Sequence, residues 1–188
     1  MNTLTRPGRK RLLQLTLLLV VSGLLVACET VSYYTQAARG QMAIIFSRQD
    51  IQDLLDSGSL PDDAESRFRE VLAIREFAET ELQLPVAEHY STFVELDREH
   101  VVWNVFAAPE FSTELRTWCY PIAGCVSYRG YFSEDDARSF AARLEDQGLD
   151  VYLGGVDAYS TLGWFEDSLL STVLDREAHQ LAGLIFHE

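Results

Sequence analysis

Positive charge is scarce in this chain. Its 188 residues carry 15 lysines and arginines against 29 aspartates and glutamates, a formal net charge of −14. Such a surface repels nucleic-acid phosphates and anionic headgroups, so it excludes a nucleic-acid partner and a polybasic dock on a membrane. Cysteine and histidine are scarce as well, at three and four. The two later cysteines, Cys119 and Cys125, are not spaced Cys-x-x-Cys and have no histidine beside them, which argues against a metal site there. No internal repeat and no low-complexity run is present. Long apolar runs are missing too: Leu12 to Val26 spans 15 residues, broken only by Gln14, Thr16, Ser22 and Gly23. That is short for a bilayer core. Apolar residues overall are in ordinary supply, at 47%, which argues against disorder beyond a short tether.

What is there begins with an address. Arg6, Arg9, Lys10 and Arg11 precede the apolar run and no acid does, which reads as a signal peptide over 1–27. The run ends in Leu25-Val26-Ala27-Cys28, which resembles the lipobox of bacterial lipoproteins. The resemblance implies cleavage after Ala27 and a diacylglycerol on the Cys28 thiol; an ordinary signal peptide that contains a cysteine is the alternative. Two or more acyl chains anchor a protein stably. The expected place is the cell envelope on its periplasmic face, with Glu29 after the cysteine favouring the outer over the inner membrane. Removing 1–27 takes away four of the 15 basic residues and no acid, leaving 11 against 29 in 161 residues, a net charge of −18. Residues 28–188 are long enough for one domain with a core.

An oxidising compartment favours a Cys119–Cys125 disulfide, and Pro121 and Gly124 between them suit a tight turn. Two reduced, buried cysteines are the other reading.

Along the chain, 30 to about 56 reads as helix, on the stripe Val31, Tyr34, Ala38, Gln41, Ile45, Ile51, Leu54 and Leu55, with a break near Ser47. Asp62 to Leu84 is a second helix, acidic in its first turn and stopped by Pro85. Tyr90–Leu96 and Val101–Ala107 then read as strands, joined as a hairpin by Asp97-Arg98-Glu99-His100. His89 and His100 flank them, as metal ligands or as exposed turn histidines. Ser133 opens the clearest helix, with Asp136 three residues on and the stripe Ala137, Phe140, Ala141 and Leu144, closed by Gly148. Asp150–Val156 is the next strand, which makes a βαβ-like unit.

The last residues, Leu181-Ala182-Gly183-Leu184-Ile185-Phe186-His187-Glu188, form an apolar helical segment. Ala178, Leu181, Ala182 and Ile185 give it a buried stripe. No glycine, basic turn or polar tail closes it, so it reads as a helix cut short. His187-Glu188 is open to two readings. It is a histidine ending a surface helix, or it opens His-Glu-x-x-His, in which two histidines on one helical face bind zinc.

Four blocks carry a resemblance: Tyr33 to Ser47, Trp118 to Phe132, Val151 to Phe165, and Leu184 to Glu188. Together the chain resembles the bacterial predicted zinc aminopeptidase lipoproteins over nearly all of the expected mature protein. The elements in order predict an α+β fold, with N-terminal helices and a mixed or antiparallel sheet with a βαβ-like unit, to which the resemblance adds a zincin-like active-site helix begun at the C-terminus. It implies zinc as cofactor, peptides as substrates, His187 as the first metal ligand and Glu188 as general base on zinc-bound water. By analogy Asp157 would hold the substrate amine, Ala158 would lie on the substrate-binding edge and Tyr159 would polarise the oxyanion; a turn-capping Asp157 and a core Tyr159 are the alternatives. The second histidine and third ligand are absent from these 188 residues. Residues 28–188 are then the N-terminal part of a metallopeptidase-like domain, inactive alone and holding no tight zinc. A rival class also fits: Tyr128 to Ser133, the helix after it and the strand after Gly148 resemble a small peptidoglycan-binding repeat, which implies a non-catalytic envelope lipoprotein binding wall glycan or a protein partner.

Overall fold

The computed structural model describes residue 14 and residues 29–120, 124–161 and 163–187. All but one residue of the expected signal peptide lie outside the described residues, as do Cys28 and Glu188. The chain falls into two compact units, Met1–Gln41 and Met42–Glu188. Residues 29–46 are helical and are named α1. In the first unit the Thr35 hydroxyl donates to the Val31 carbonyl at 2.7 Å, and the rings of Tyr33 and Tyr34 meet edge-on at 5.6 Å. Among the described residues no helix is long and apolar enough to cross a membrane.

The second unit is α+β, and its helix breaks where expected. The chain turns at Ser47, runs extended through β1 (Gln49–Asp50) and re-enters helix as α2 (Ile51–Asp56). Asp50 makes the restart possible. Its carboxylate accepts from the backbone N–H groups of Gln52 and Asp53 at 2.8 and 3.1 Å, satisfying two donors that a helix start leaves open. Helix α3 (Asp62–Thr80) follows, with Asp62, Asp63 and Glu65 at its positive end and Phe68, Val71 and Ala78 buried. It stops four residues before the expected Leu84. The chain leaves it through Gln83, at φ 55, while the Leu84 N–H donates to the Ala78 carbonyl at 3.0 Å. Arg75 of α3 donates to the carbonyls of His89 and Ala87 at 2.6 and 2.9 Å, tying down the loop after the helix.

The expected hairpin does not form. Strand β2 (Thr92–Val94) pairs with β1 antiparallel and with β8 (Leu169–Leu170) parallel. Strand β3 (Val102–Pro109) instead lies between β6 (Arg129–Tyr131) and β7 (Leu149–Val156), antiparallel to both. The linking segment is bonded elsewhere. The Leu96 N–H donates to the Ser171 hydroxyl at 2.9 Å, Arg98 to the Phe132 carbonyl at 2.7 Å, and the Val101 N–H to the Val156 carbonyl at 2.9 Å. Alternating apolar residues call for a partner strand without naming it.

The βαβ-like unit is present in split form, with β3 inserted between β6 and β7 and helix α4 (Glu134–Glu145) packed across the sheet. The Ser133 hydroxyl caps α4 by accepting from the Asp136 N–H at 3.3 Å. All four residues of its expected stripe are buried. Phe140 meets Tyr131 at 5.5 Å and Trp118 at 6.0 Å, and the Arg129 guanidinium lies 4.7 Å from its ring. Before this unit, β4 (Trp118–Tyr120) and β5 (Gly124–Val126) form a small exposed ladder, in which Cys119 faces Cys125 and the two sulfurs are bonded.

After β8 a 3₁₀ turn, Ser171–Val173, leads to α5 (Ala178–His187). Leu181 and Ile185 of α5 are buried in one core with Ile51, Phe68, Phe93 and Leu169, while Ala178, expected on the stripe, is exposed. A second core joins Ile44, Val94, Val101, Val102 and Leu170.

Candidate functional site

Helix α5 carries one end of the candidate site. Leu181 and Ile185, four apart, anchor one face in the core, and Phe186 lies 6.2 Å from Phe77 of α3. His187, the last residue of α5, is exposed. Glu188 lies outside the described residues, so the structure places one member of the pair. Among the described residues no group of three His, Cys, Asp or Glu side chains could hold a metal ion.

The segment after β7 carries the other end. Ala158 packs at the margin of the core that contains Leu181 and Ile185. Asp157 is half-buried and its carboxylate is committed on both oxygens. Oδ1 lies 2.8 Å from His100 Nδ1, and Oδ2 lies 3.4 Å from the Arg176 guanidinium. Its backbone carbonyl accepts from the Thr172 hydroxyl at 2.6 Å. Tyr159 belongs to the second core, its ring edge-on to Phe132 at 5.5 Å. Burial raises its phenol well above the ordinary value, and Asp167 pushes the same way, against Arg48 and Arg98. The hydroxyl therefore stays protonated, a donor and not a base.

Neither flanking histidine is an exposed turn residue. The His89 Nδ1 atom accepts from the Asp167 N–H at 3.1 Å, and His100 is the partner of Asp157. His100 borders a cleft of about 370 Å³, with Arg98, Glu99, Trp103, Glu134 and Arg138 among its walls. Its ring meets Trp103 edge-on at 6.1 Å, and Arg98 lies over the same indole at 5.8 Å. Burial lowers Arg98 from its ordinary value, with Tyr159 acting the other way.

The sequence reading missed the joining of His100 to Asp157 and the part played by Arg176. One signal was available. Gly154-Gly155 stands inside an eight-residue strand, and glycine there marks a close approach. A Cβ on Gly155 would come 1.9 Å from His100 Cδ2.

A family model described as "Putative aminopeptidase" matches residues 32–188. No curated protein matches this chain, and no solved structure does.

Proposed function

This chain belongs to the Aminopep family, and from that premise we propose a zinc-dependent aminopeptidase, anchored in the cell envelope by a lipid on Cys28. The match over residues 32–188 is the observation that carries the peptidase reading. The setting of α5 supports its refinement: a helix whose buried face is anchored by Leu181 and Ile185 ends in an exposed imidazole at His187. The described residues do not fit a zinc site by themselves, since no cluster of three ligands exists among them. In this reading His187 is one zinc ligand and Glu188 the base.

The chain's own contribution is then binding and positioning. Ala158, packed against the core that holds Leu181 and Ile185, is assigned to the peptide-facing edge, and the Tyr159 hydroxyl is protonated. Asp157 acts through the groups it holds, because His100 and Arg176 occupy its two oxygens. Peptides are the substrates. The lipid on Cys28 would set the protein on the periplasmic face, with the outer membrane favoured, and the excess of acids leaves nucleic acid outside its partners.

A second reading, an envelope lipoprotein that binds wall glycan without catalysis, draws on one observation. On the sheet face opposite α4, Phe106 stands 5.8 Å from Tyr128 and 6.0 Å from Tyr152, which is 68% exposed. One experiment separates the two. The product of the native gene, assayed on aminoacyl anilides, is expected to hydrolyse them, to stop on chelation and recover with zinc, and to fall to background as His187→Ala. Activity untouched by that substitution defeats the metal assignment, and no activity in the wild type favours the glycan binder.

A further inference from the structure

His100 is held by Gly155 and Asp157. Gly155 leaves room for its ring, since any larger residue would overlap it. Asp157 sets its tautomer: a carboxylate only accepts, so across 2.8 Å the proton sits on His100 Nδ1. Arg176 and Thr172 in turn hold Asp157 through its other oxygen and its carbonyl. With its single proton on Nδ1, a ring so fixed presents Nε2 as a lone pair.

Glu99 Oε1 lies 4.0 Å from that Nε2. Two acceptors at this spacing lack a donor between them. An ammonium nitrogen about 2.8 Å from each would make two hydrogen bonds at roughly 90°, one of them to a carboxylate. The same cleft is walled by Arg98 and Arg138, and the buried Arg98 Nε has no acceptor. A volume of about 370 Å³ suits a terminal aminoacyl group.

We infer that this cleft recognises the free α-ammonium group of a peptide, held between His100 Nε2 and Glu99, with the arginines facing its first carbonyl. The assignment moves amine recognition from Asp157 to the histidine that Asp157 orients. It rests on the peptidase reading for the identity of the ligand.

The test uses the product of the native gene, isotope-labelled, with histidine side-chain spectra recorded near neutral pH during titration with leucinamide and with N-acetyl-leucinamide. His100 is expected in the Nδ1–H form, with its Nε2 signal moved by leucinamide and the acetylated probe at least roughly tenfold weaker. Glu99 is 88% exposed, so Glu99→Gln leaves the fold intact; it should weaken leucinamide by roughly tenfold and keep the tautomer. Gly155→Ala should displace the ring and abolish binding. Equal binding of the two probes, no response to leucinamide, or a doubly protonated His100 paired with Glu99 would overturn the inference. Amine binding by a full-length protein that hydrolyses no peptide would support the cleft and sink the peptidase reading. Hydrolysis indifferent to both Glu99→Gln and His100→Gln would sink the cleft and spare that reading.

Discussion

Helices α4 and α5 both bury one face, but they find their partners by different routes. The strands under α4 include β6 and β7, its immediate neighbours in sequence, and Ser133 caps it from the adjacent position. The core around α5 is gathered from Ile51 of α2, Phe68 of α3, Phe93 of β2 and Leu169 of β8. Leu169 and Val173 come from the segment just before α5, but the other partners lie far away in sequence. The contrast shows where this molecule is locally specified and where it depends on closing long loops.

Three measurements break or sharpen that contrast. The largest effect is expected at Phe68, 1% exposed, whose ring meets Phe93 at 4.9 Å. Phe68→Ala should lower unfolding free energy by about 3–5 kcal/mol in urea titration. Amide exchange should then quicken in β2 and α5 more than in α4; uniform quickening would show the two regions to be one cooperative unit. Ser133→Ala removes the cap of α4 and should cost about 1 kcal/mol, with faster exchange confined to that helix's first turn. A loss several times larger would mean that α4, too, depends on distant contacts.

The smallest effect is a pH dependence at Tyr159. Burial raises its folded-state pKa above the ordinary 10.0 of the unfolded chain. Below that value both states are protonated and its contribution is fully present. As pH rises past 10.0 the unfolded state ionises first, so stability falls until the folded phenol also ionises. Tyr159→Phe should flatten the alkaline limb of the urea midpoint against pH. An unchanged limb would assign alkaline loss to other groups.

The elements that could be read in advance share one property. The restart at α2, the acidic first turn of α3, and the cap, stripe and Gly148 stop of α4 all arise from contacts within a turn or two of chain. The two-residue strands β1 and β8 carry no periodicity to read, and the carbonyls that hold Arg75 lie in a loop beyond its own helix. His187 and the segment 157–159 are candidates named from the chain alone, whereas the pairing of His100 with Asp157, 57 residues apart, could not be read there.

Composition and local pattern were sufficient for the α+β class, the acidic surface and the helix on which His187 sits, because charge and helical periodicity are properties of neighbouring residues. Only the tertiary structure decided that β2 and β3 part company, and that Gly155, Asp157 and Arg176 converge on one imidazole. Those choices depend on which distant surfaces bury one another once the loops close, and no window of adjacent residues contains that information.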